Sequence, residues 1–351
     1  MASLPMPAQG QPGCEPGFTE TVASVVGAAI WAPSVHNTQP WWFRAARAEM
    51  SLYADSGRQL TVADPVGREM MISCGAALFT ARLALRSLGY VPETSVLPEP
   101  TDPLLVARLS WSRREAPTEY EQRLFSQVLT RRTHRGGFDA LPLSPRLLAV
   151  LQQGASQDGA RLNVVTDASS RAMLAAAVQT AEQTLEADSA YVQELASWVS
   201  PPGSIRDDGV PYTSYPARPE HTYPDFPGRD FAHGLRWGLP RFGSATANHS
   251  AGVVCLLTTS DDCPADWVHA GQALQRALLA SATCGVAAAL HSQPLEVASL
   301  RELIRAKLCE GDFPQLVLRL GTVIQTAKSV RRPLASVLVT VSGEHPATGS
   351  G

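Results

Sequence analysis

The sequence predicts an α+β fold in which helices and strands alternate along a chain of 351 residues. Apolar residues recur at helical spacing over 67–88 and 266–285, which indicates two buried or amphipathic helices. Short β-branched and apolar runs at 251–258 and 315–320 indicate strands. Both of these helices contain an internal glycine and end at another glycine, and this echo suggests a chain built from two related halves.

The same echo would also arise from two unrelated domains, so the sequence leaves both arrangements open. The predicted organisation has a first half over 17–115 and a second half over 116–340. The Pro-, Gly- and Gln-rich residues 1–16 are predicted to be disordered, as is the tail 341–351.

Other stretches carry helix or strand signals that complete the predicted order of elements. A turn is predicted at Gln293–Glu296, where a proline follows an apolar run. The remaining predicted helices are 18–31, 120–129, 144–153, 171–198 and 297–308, and the remaining predicted strands are 41–44, 50–53, 104–111 and 162–166.

The composition excludes several classes of protein. Hydrophobic residues make up 44% of the chain, which is enough for a sizeable core, and a net charge of −3 gives no reason to expect a nucleic-acid or membrane partner. No apolar run reaches the roughly 18 residues of a membrane span. The six cysteines show no CxxC pair and no metal-ligand spacing, which predicts a reduced, cytoplasmic protein without a metal site.

Residues 200–245 differ in character from the rest of the chain, and we call them the lid segment. They contain eight prolines together with several aromatic, Asp and Arg residues. This stretch is too polar for a core and too aromatic for a plain linker, so we expect a surface excursion that acts as a lid.

The loop Ala32–Trp41 is the first candidate site. Pro33 ends the preceding helix, because proline disfavours helical geometry in the residue before it. Ser34, Asn37 and Gln39 then offer both donors and acceptors, which suits a flat heterocycle whose edge alternates C=O and N–H groups. The alternative is a helix-to-strand turn whose polar side chains cap backbone groups.

A second candidate site is the arginine-rich stretch Arg131–Arg135. Arg131, Arg132 and Arg135 supply guanidinium groups that match phosphate oxygens bidentately, and Thr133 adds a hydroxyl donor. Arg331 and Arg332 form another basic pair that could close over the same anion. Taken alone, the stretch Arg131–Arg135 is typical of a charged surface turn, and Arg331 with Arg332 of a basic tail.

Motifs for several other chemistries are missing from the sequence. No GxGxxG follows a strand and no GxxxxGK[ST] occurs, which excludes a Rossmann dinucleotide site and a P-loop. No HExxH or GxSxG motif is present, and the histidines are too scattered to form a metal site.

Taken together, the two candidate sites resemble motifs of the nitroreductase superfamily of flavin enzymes. The motif Pro-Ser-x-x-Asn-x-Gln-Pro-Trp at 33–41 here precedes the Arg-x-Thr-x-Arg motif at 131–135, an inverted order. Further matching motifs narrow the resemblance to the Acg family, actinobacterial flavoproteins with two nitroreductase-like halves in one chain. The similarity extends over nearly all of 18–338, and these further motifs are Tyr53–Asp55, Arg58–Leu60, Asp64-Pro65, Gly67–Glu69 and Ile72–Ala77.

The resemblance implies a single-chain pseudo-dimer that binds one FMN across the seam between its halves. It implies that Arg135 approaches the flavin N1/O2 edge and that the turn ending at Glu296 approaches N5, which makes Arg135 and Glu296 the catalytic candidates. The ring contacts implied are Pro33, Ser34, Asn37 and Gln39, the turn is Pro294, Leu295 and Glu296, and the phosphate ligands are Arg131, Arg132, Thr133, Lys328, Arg331 and Arg332.

The activity implied by the resemblance is hydride transfer from NAD(P)H through FMN to an unsaturated or nitro acceptor. The alternative is a non-enzymatic protein that stores or sequesters FMN beneath the lid segment. The expected partner is a small-molecule substrate, and the long lid segment is compatible with a homodimer in which each chain covers the other's site.

Overall fold

The computed structural model describes residues 17–46, 49–216, 221–231, 238, 249–323 and 329–340. The predicted disordered termini, 1–16 and 341–351, lie outside these ranges, as do Lys328 and much of the second half of the lid segment. Both helices and strands occur throughout the described chain, so the α+β prediction is confirmed.

Nine α-helices occur in the described residues, and most of them match the predicted ranges. None of these helices is long and apolar enough to cross a membrane. They are α1 Phe18–Ala29, α2 Arg68–Ser87, α3 Glu119–Ser126, α4 Pro145–Gln157, α5 Ala168–Glu186, α6 Ser189–Ser197, α7 Pro264–Ala282, α8 Gln293–Glu296 and α9 Ala298–Leu308.

The single helix predicted over 171–198 is wrong, because the structure divides this stretch into α5 and α6. The division falls at Asp188, whose side chain accepts hydrogen bonds from the backbone N–H groups of Ala190 and Tyr191. An aspartate that caps the first turn of a helix starts a new helix rather than extending the old one. The turn predicted at 293–296 is the one-turn helix α8.

The described strands form two main sheets and two small ribbons. The first sheet has the order β13-β1-β2-β4-β3, and the second has the order β11-β12-β10-β5. The strands are β1 Trp41–Ala46, β2 Glu49–Ala54, β3 Tyr90–Val96, β4 Leu105–Arg114, β5 Arg161–Val164, β6 Val199–Ser200, β7 Val210–Pro211, β8 Thr222–Tyr223, β9 His249–Ser250, β10 Val253–Thr259, β11 Val286–His291, β12 Phe313–Thr322 and β13 Leu338–Thr340.

Helices α2 and α7 pack against each other at the centre of the molecule. Gly75 of α2 and Gly271 of α7 lie at their closest approach. A Cβ atom on Gly75 would overlap the carbonyl oxygen of Val268, and one on Gly271 would overlap that of Ile72. The absence of a side chain at both positions therefore allows the two backbones to touch.

The end of the chain returns to the first sheet. Strand β13 pairs in parallel with β1, with Phe43 opposite Leu338. The chain segment 338–340 thus belongs in space with residues 41–114, although the sequence assigned it to the second half. The division into two related halves stays a prediction.

The lid segment is more buried than its composition predicted. Tyr215, Phe226 and Phe231 are buried, and Tyr215 and Phe231 form a small core with Leu60 and Tyr191. These aromatic rings pack inward, against the rest of the protein. Trp237 and Phe242 of the same segment lie outside the described residues.

We expect Gly75→Ala to destabilise the protein because the added methyl group would force α2 and α7 apart. Overpacking of this kind costs about 1–3 kcal/mol, although alanine favours a helix over glycine by about 1 kcal/mol. Urea unfolding followed by circular dichroism measures the difference. Gly57→Ala is the control, since its Cβ would meet only the Asp55 carboxylate at 3.4 Å. A variant as stable as the control would contradict the close approach.

Candidate functional site

A cavity of about 650 Å³ opens beside the central helix pair. Its walls come from α2, α7, β11 and β12, from the loops 33–36 and 133–136, and from the lid segment between Tyr215 and Phe231. This volume falls in the range of roughly 300–1,000 Å³ that is typical of small-molecule sites.

The loop that follows α1 has an unusual backbone conformation. His36, Asn37 and Gln39 have φ angles of 46°, 56° and 49°, all in the left-handed region. That region costs roughly 1–2 kcal/mol for a residue with a side chain. Three such residues within four positions persist only where the surroundings hold them, and strain of this kind concentrates at functional sites.

One side of this loop faces the cavity. Pro33, Ser34 and His36 contribute to the wall. The Ser34 hydroxyl oxygen accepts a hydrogen bond from the backbone N–H of Gln39 at 2.9 Å, which helps to close the loop. Burial, together with the nearby Arg229 and Arg135, lowers the pKa of His36 well below its ordinary value, so its imidazole is neutral.

Asn37 and Gln39 do not line the cavity. The Asn37 amide donates to the carbonyl of Gly209 at 2.9 Å, and its oxygen accepts from Arg331 at 2.9 Å. The Gln39 amide donates to the carbonyl of Asp207 at 3.0 Å, and its oxygen accepts from the N–H of Arg332 at 2.9 Å. Both amides therefore join the start of the lid segment to the C-terminal segment.

Arg131 and Arg331 meet at the backbone carbonyl of Trp31, two residues before Pro33 of the cavity wall. The Nη2 atoms of the two residues donate to the oxygen of Trp31 at 3.3 and 3.2 Å. Arg132 and Arg331 also lie over the Trp31 ring, at 4.8 and 5.4 Å from its centroid. The sequence separates these arginines by about two hundred residues, and the fold brings them together.

This arginine cluster (Arg131, Arg132 and Arg331) has no carboxylate partner among the described residues. The Nε and Nη1 atoms of Arg131 and the Nε atom of Arg331 are buried without a hydrogen-bond partner in the same part of the chain. Burial, reinforced by Arg132 and Arg135, lowers the pKa of Arg131 to about 9. Burial and the neighbouring arginines also lower the pKa of Arg331. Buried cations without a counter-charge are unfavourable, so the cluster is suited to an anion.

Arg332 binds groups of the protein itself in this structure. Its guanidinium donates to the carbonyls of Gln39 and Ser336 and lies 3.7 Å from the carboxylate of Asp55. These bonds hold the C-terminal segment against the first sheet. Lys328, the remaining basic residue proposed from the sequence, lies outside the described residues.

Thr133 and Arg135 lie on the cavity wall, where the arginine-rich stretch passes the second sheet. Arg135 donates to the carbonyl of Ser214 at 3.2 Å, and its guanidinium lies 5.4 Å from the centre of the Phe231 ring. Burial lowers the pKa of Arg135 to about 10, which leaves it charged at neutral pH.

The turn containing Pro294, Leu295 and Glu296 lies next to the cavity but not on its wall. Leu295 packs into a core with residues of α5, and Glu296 is buried. The neighbouring Ser292 and Gln293 line the cavity instead. The Ser292 hydroxyl donates to Glu296 at 2.7 Å.

The carboxylate of Glu296 also binds Arg229 of the lid segment. The Arg229 guanidinium donates to the Glu296 carboxylate at 2.8 Å, and the two side chains are only 4% and 1% exposed. The same guanidinium contacts the ring nitrogen of His36 at 3.0 Å and the hydroxyl of Tyr191. This buried ion pair fixes the lid segment to α8.

Four charged residues on the cavity wall were not predicted from the sequence: Glu69, Arg229, Asp230 and Arg319. Arg319 is 2% exposed and donates to the ring nitrogen of His291 at 2.9 Å and to the carbonyl of Ala251 at 3.0 Å. An arginine inside the apolar strand Gln315–Leu320 is a signal that sequence analysis could have used.

Comparison with known proteins finds relatives in Mycobacterium tuberculosis. The chain is 33% identical over 304 residues to "Putative NAD(P)H nitroreductase Rv3131". The aligned region covers 86% of this chain and 85% of the relative. It is 30% identical over 333 residues to "Putative NAD(P)H nitroreductase acg", and this alignment covers 93% of this chain and 98% of the relative. No protein-family model matches the chain.

Partial matches among solved structures include a nitroreductase with bound FMN from Desulfitobacterium hafniense DCB-2. That chain is 16% identical with a TM-score of 0.39, and the match covers 63% of this chain and 98% of the other. The FMN-dependent nitroreductase NfnB from Mycobacterium smegmatis, in complex with NADPH, is 15% identical with a TM-score of 0.36, covering 62% and 96%. Both scores are low, so the assignment of a family rests on the sequence relatives.

The fold and site define an α+β protein with a cavity of small-molecule size and a cluster of arginines that lacks a carboxylate partner among the described residues. The identity to the mycobacterial relatives extends over most of both chains. The chain therefore belongs to the Acg family of nitroreductase-like proteins, as the motifs in its sequence indicated.

We expect Arg229→Met to lower the free energy of unfolding by about 3–5 kcal/mol, because it leaves the Glu296 carboxylate buried without its cation. The double variant Arg229→Met/Glu296→Gln should recover most of that loss, since both charges are then gone. Urea unfolding of the wild type, the two single variants and the double variant measures the coupling.

The matched control for this cycle is Arg123→Met, which removes an exposed arginine paired with Glu119. Exposed pairs contribute at most about 1 kcal/mol, so this variant should remain close to the wild type. If the loss in free energy of unfolding of the double variant equals the sum of the losses of the two single variants, Arg229 and Glu296 are not coupled.

Proposed function

We propose that this protein binds FMN and acts as an NAD(P)H-dependent oxidoreductase of the nitroreductase type, reducing an unsaturated or nitro acceptor. The observation that carries the proposal is the arginine cluster beside the cavity, in a chain whose relatives are named as NAD(P)H nitroreductases.

The arginine cluster fits the phosphate of FMN. Arg131 and Arg331 hold buried N–H groups without acceptors, and a phosphate offers oxygens that accept such groups bidentately. The charge of the phosphate would also relieve the repulsion between neighbouring guanidinium groups. Thr133, which lies between Arg131 and Arg135 in the sequence, would add a hydroxyl donor.

The cavity fits a planar ring system. It combines apolar surface from Ile72, Leu274 and Leu316 with polar groups from Ser34 and Arg135. FMN, when bound, would accept a hydride from NAD(P)H and deliver it to the acceptor. Arg135 on the wall would favour the reduced cofactor, because its fixed positive charge stabilises the negative charge that reduction adds.

The implied contacts of Asn37 and Gln39 with the ring stay predictions. Both amides have protein partners in this structure, so ring binding would require them to exchange those hydrogen bonds. The role of Glu296 at N5 also stays a prediction, since its carboxylate pairs with Arg229. The storage alternative finds no support in the names of the relatives.

The direct test is the visible spectrum of the purified protein, recorded anaerobically before and after NADPH is added. A yellow protein whose flavin bands bleach with NADPH, and return when a nitro or unsaturated acceptor follows, supports the proposal. A preparation that stays colourless after incubation with FMN would overturn it. Bound flavin that NADPH does not reduce would overturn the oxidoreductase part and leave FMN binding intact.

We expect Arg131→Ala to weaken FMN binding by roughly tenfold to a hundredfold, because a charge-assisted hydrogen bond contributes about 1.5–3 kcal/mol. Quenching of flavin fluorescence on titration of the apoprotein measures the dissociation constant. Arg123→Ala, on the exposed face of α3, is the control and should bind FMN like the wild type. Equal affinities in the two variants would rule out the phosphate assignment.

We expect Arg135→Ala to lower the two-electron reduction potential of bound flavin more than it weakens binding. Loss of about 1.5–3 kcal/mol of stabilisation in the reduced form corresponds to roughly 30–65 mV. A spectroelectrochemical titration against a reference dye measures the potential. A potential that is unchanged or higher would show that Arg135 does not act on the charge of the reduced cofactor.

A further inference from the structure

The cavity contains an acid that the site described above does not use. Glu69 occupies the first turn of α2 and lies on the cavity wall with Ile72 and Ser73, three and four residues further along the same helix face. It is 6% exposed. None of the family motifs used above assigns a role to its side chain.

The two carboxylate oxygens of Glu69 have different surroundings. Oε1 accepts a hydrogen bond from Arg68 at 3.0 Å. Oε2 is buried and has no hydrogen-bond partner in the described part of the chain. An ionised carboxylate would leave negative charge on this oxygen without a donor, which is costly in a buried position.

Several charged groups surround Glu69, and they act in opposite directions. Arg68 and Arg229 favour the ionised form, as does the N-terminal end of α2. Glu296 from α8 and Asp64 from the preceding loop oppose it. Burial is the largest effect, and the net result raises the pKa of Glu69 to about 8. The acid is therefore mostly protonated at neutral pH.

We propose that Glu69 holds a proton on Oε2 and donates it to the acceptor that is reduced in the cavity. The inference rests on the proposed function, because it assumes a hydride acceptor at this site. The acceptor would be a conjugated carbonyl or quinone that takes a hydride from the reduced cofactor and a proton from the protein.

The step balances in atoms and electrons. The acceptor gains a hydride, with its electron pair, from the reduced cofactor, which NAD(P)H has reduced beforehand. The O–H bond of Glu69 then breaks, and the proton forms a new O–H or C–H bond on the acceptor. The electron pair of the broken bond stays on Glu69 as a carboxylate, which Arg68 stabilises through its existing hydrogen bond. Solvent returns the proton before the next turnover.

Glu296 and Asp64, the two acids that act on Glu69, are less suited to this role. Glu296 does not line the cavity, and its carboxylate binds Arg229 and the Ser292 hydroxyl. Asp64 accepts the backbone N–H of Met70 at 2.9 Å, so its carboxylate helps to begin α2. Glu69 alone among the three contributes to the cavity wall.

The first measurement asks whether Glu69 carries a proton. Infrared spectra of the wild type and of Glu69→Gln at pH 7 should differ by the loss of a protonated-carboxyl C=O band in the variant. Glu121→Gln is the matched control, because Glu121 also pairs with an arginine but lies outside the cavity, and its pKa is lowered. It should lose no such band. An unchanged protonated-carboxyl band in Glu69→Gln would overturn the inference.

The second measurement asks whether the proton is delivered. The holoprotein is reduced anaerobically with NADPH and mixed with p-benzoquinone, which needs a hydride and a proton, or with ferricyanide, which takes electrons alone. Glu69→Gln should slow reoxidation by the quinone by about a hundredfold, in the range for general acid catalysis, and leave reoxidation by ferricyanide unchanged. In the wild type the quinone rate should fall as pH rises above about 8.

The outcomes separate this inference from the proposed function. Equal quinone rates in the wild type and Glu69→Gln would overturn proton donation while leaving FMN chemistry intact. Failure of the wild type to bind FMN or to be reduced by NADPH would overturn the proposed function, and proton donation with it, whatever the infrared result. Glu69→Asp keeps the acid on a shorter side chain, so partial recovery of the quinone rate would show that the acid itself acts. A rate no better than that of Glu69→Gln in a folded Glu69→Asp would count against it.

Discussion

The contact between α2 and α7 at Gly75 and Gly271 is the constraint on which the cavity depends. Because neither glycine has a side chain, the two backbones touch at this point. The contact sets the positions of Ile72 on α2 and Leu274 on α7, and both of these residues line the cavity. A bulkier residue at the crossing would change the distance between opposite walls of the site. The position of the binding site is thus determined by packing more than by any polar group.

In the arginine cluster, folding buries N–H groups that have no hydrogen-bond acceptor among the described residues. Folding must bury Arg131 and Arg331 although no carboxylate among the described residues compensates them. An anion that binds there adds its binding free energy to the stability of the folded state. The protein should consequently unfold at a higher temperature with its anionic ligand than without it. A site of this kind favours folding of the chain around a bound anion.

Most helices and several residues of the cavity wall could be predicted from the sequence. The elements and contacts that were missed have physical explanations. Strand β11 was missed because its alanine-rich sequence has little intrinsic preference for strands and depends on pairing with β12. Pro33, Ser34, Thr133 and Arg135, which two separate motifs supplied, line one cavity, and their roles there stay predictions. Asn37 binds backbone groups far away in the sequence, a contact that no local pattern reveals. Glu69 was given no role in the site, although its motif was recognised, because a glutamate in the first turn of a helix is normally a solvent-exposed residue that complements the helix dipole.

The return of the chain to its first sheet has a consequence for biosynthesis. Asn37 receives its hydrogen bond from a residue 294 positions later, and β1 gains its neighbour β13 later still. While the protein is being translated, the edge of β1 remains open and the arginine cluster lacks Arg331. An exposed strand edge is prone to pair with other chains. Completion of the first sheet and of the arginine cluster must therefore wait until residues 331–340 have left the ribosome.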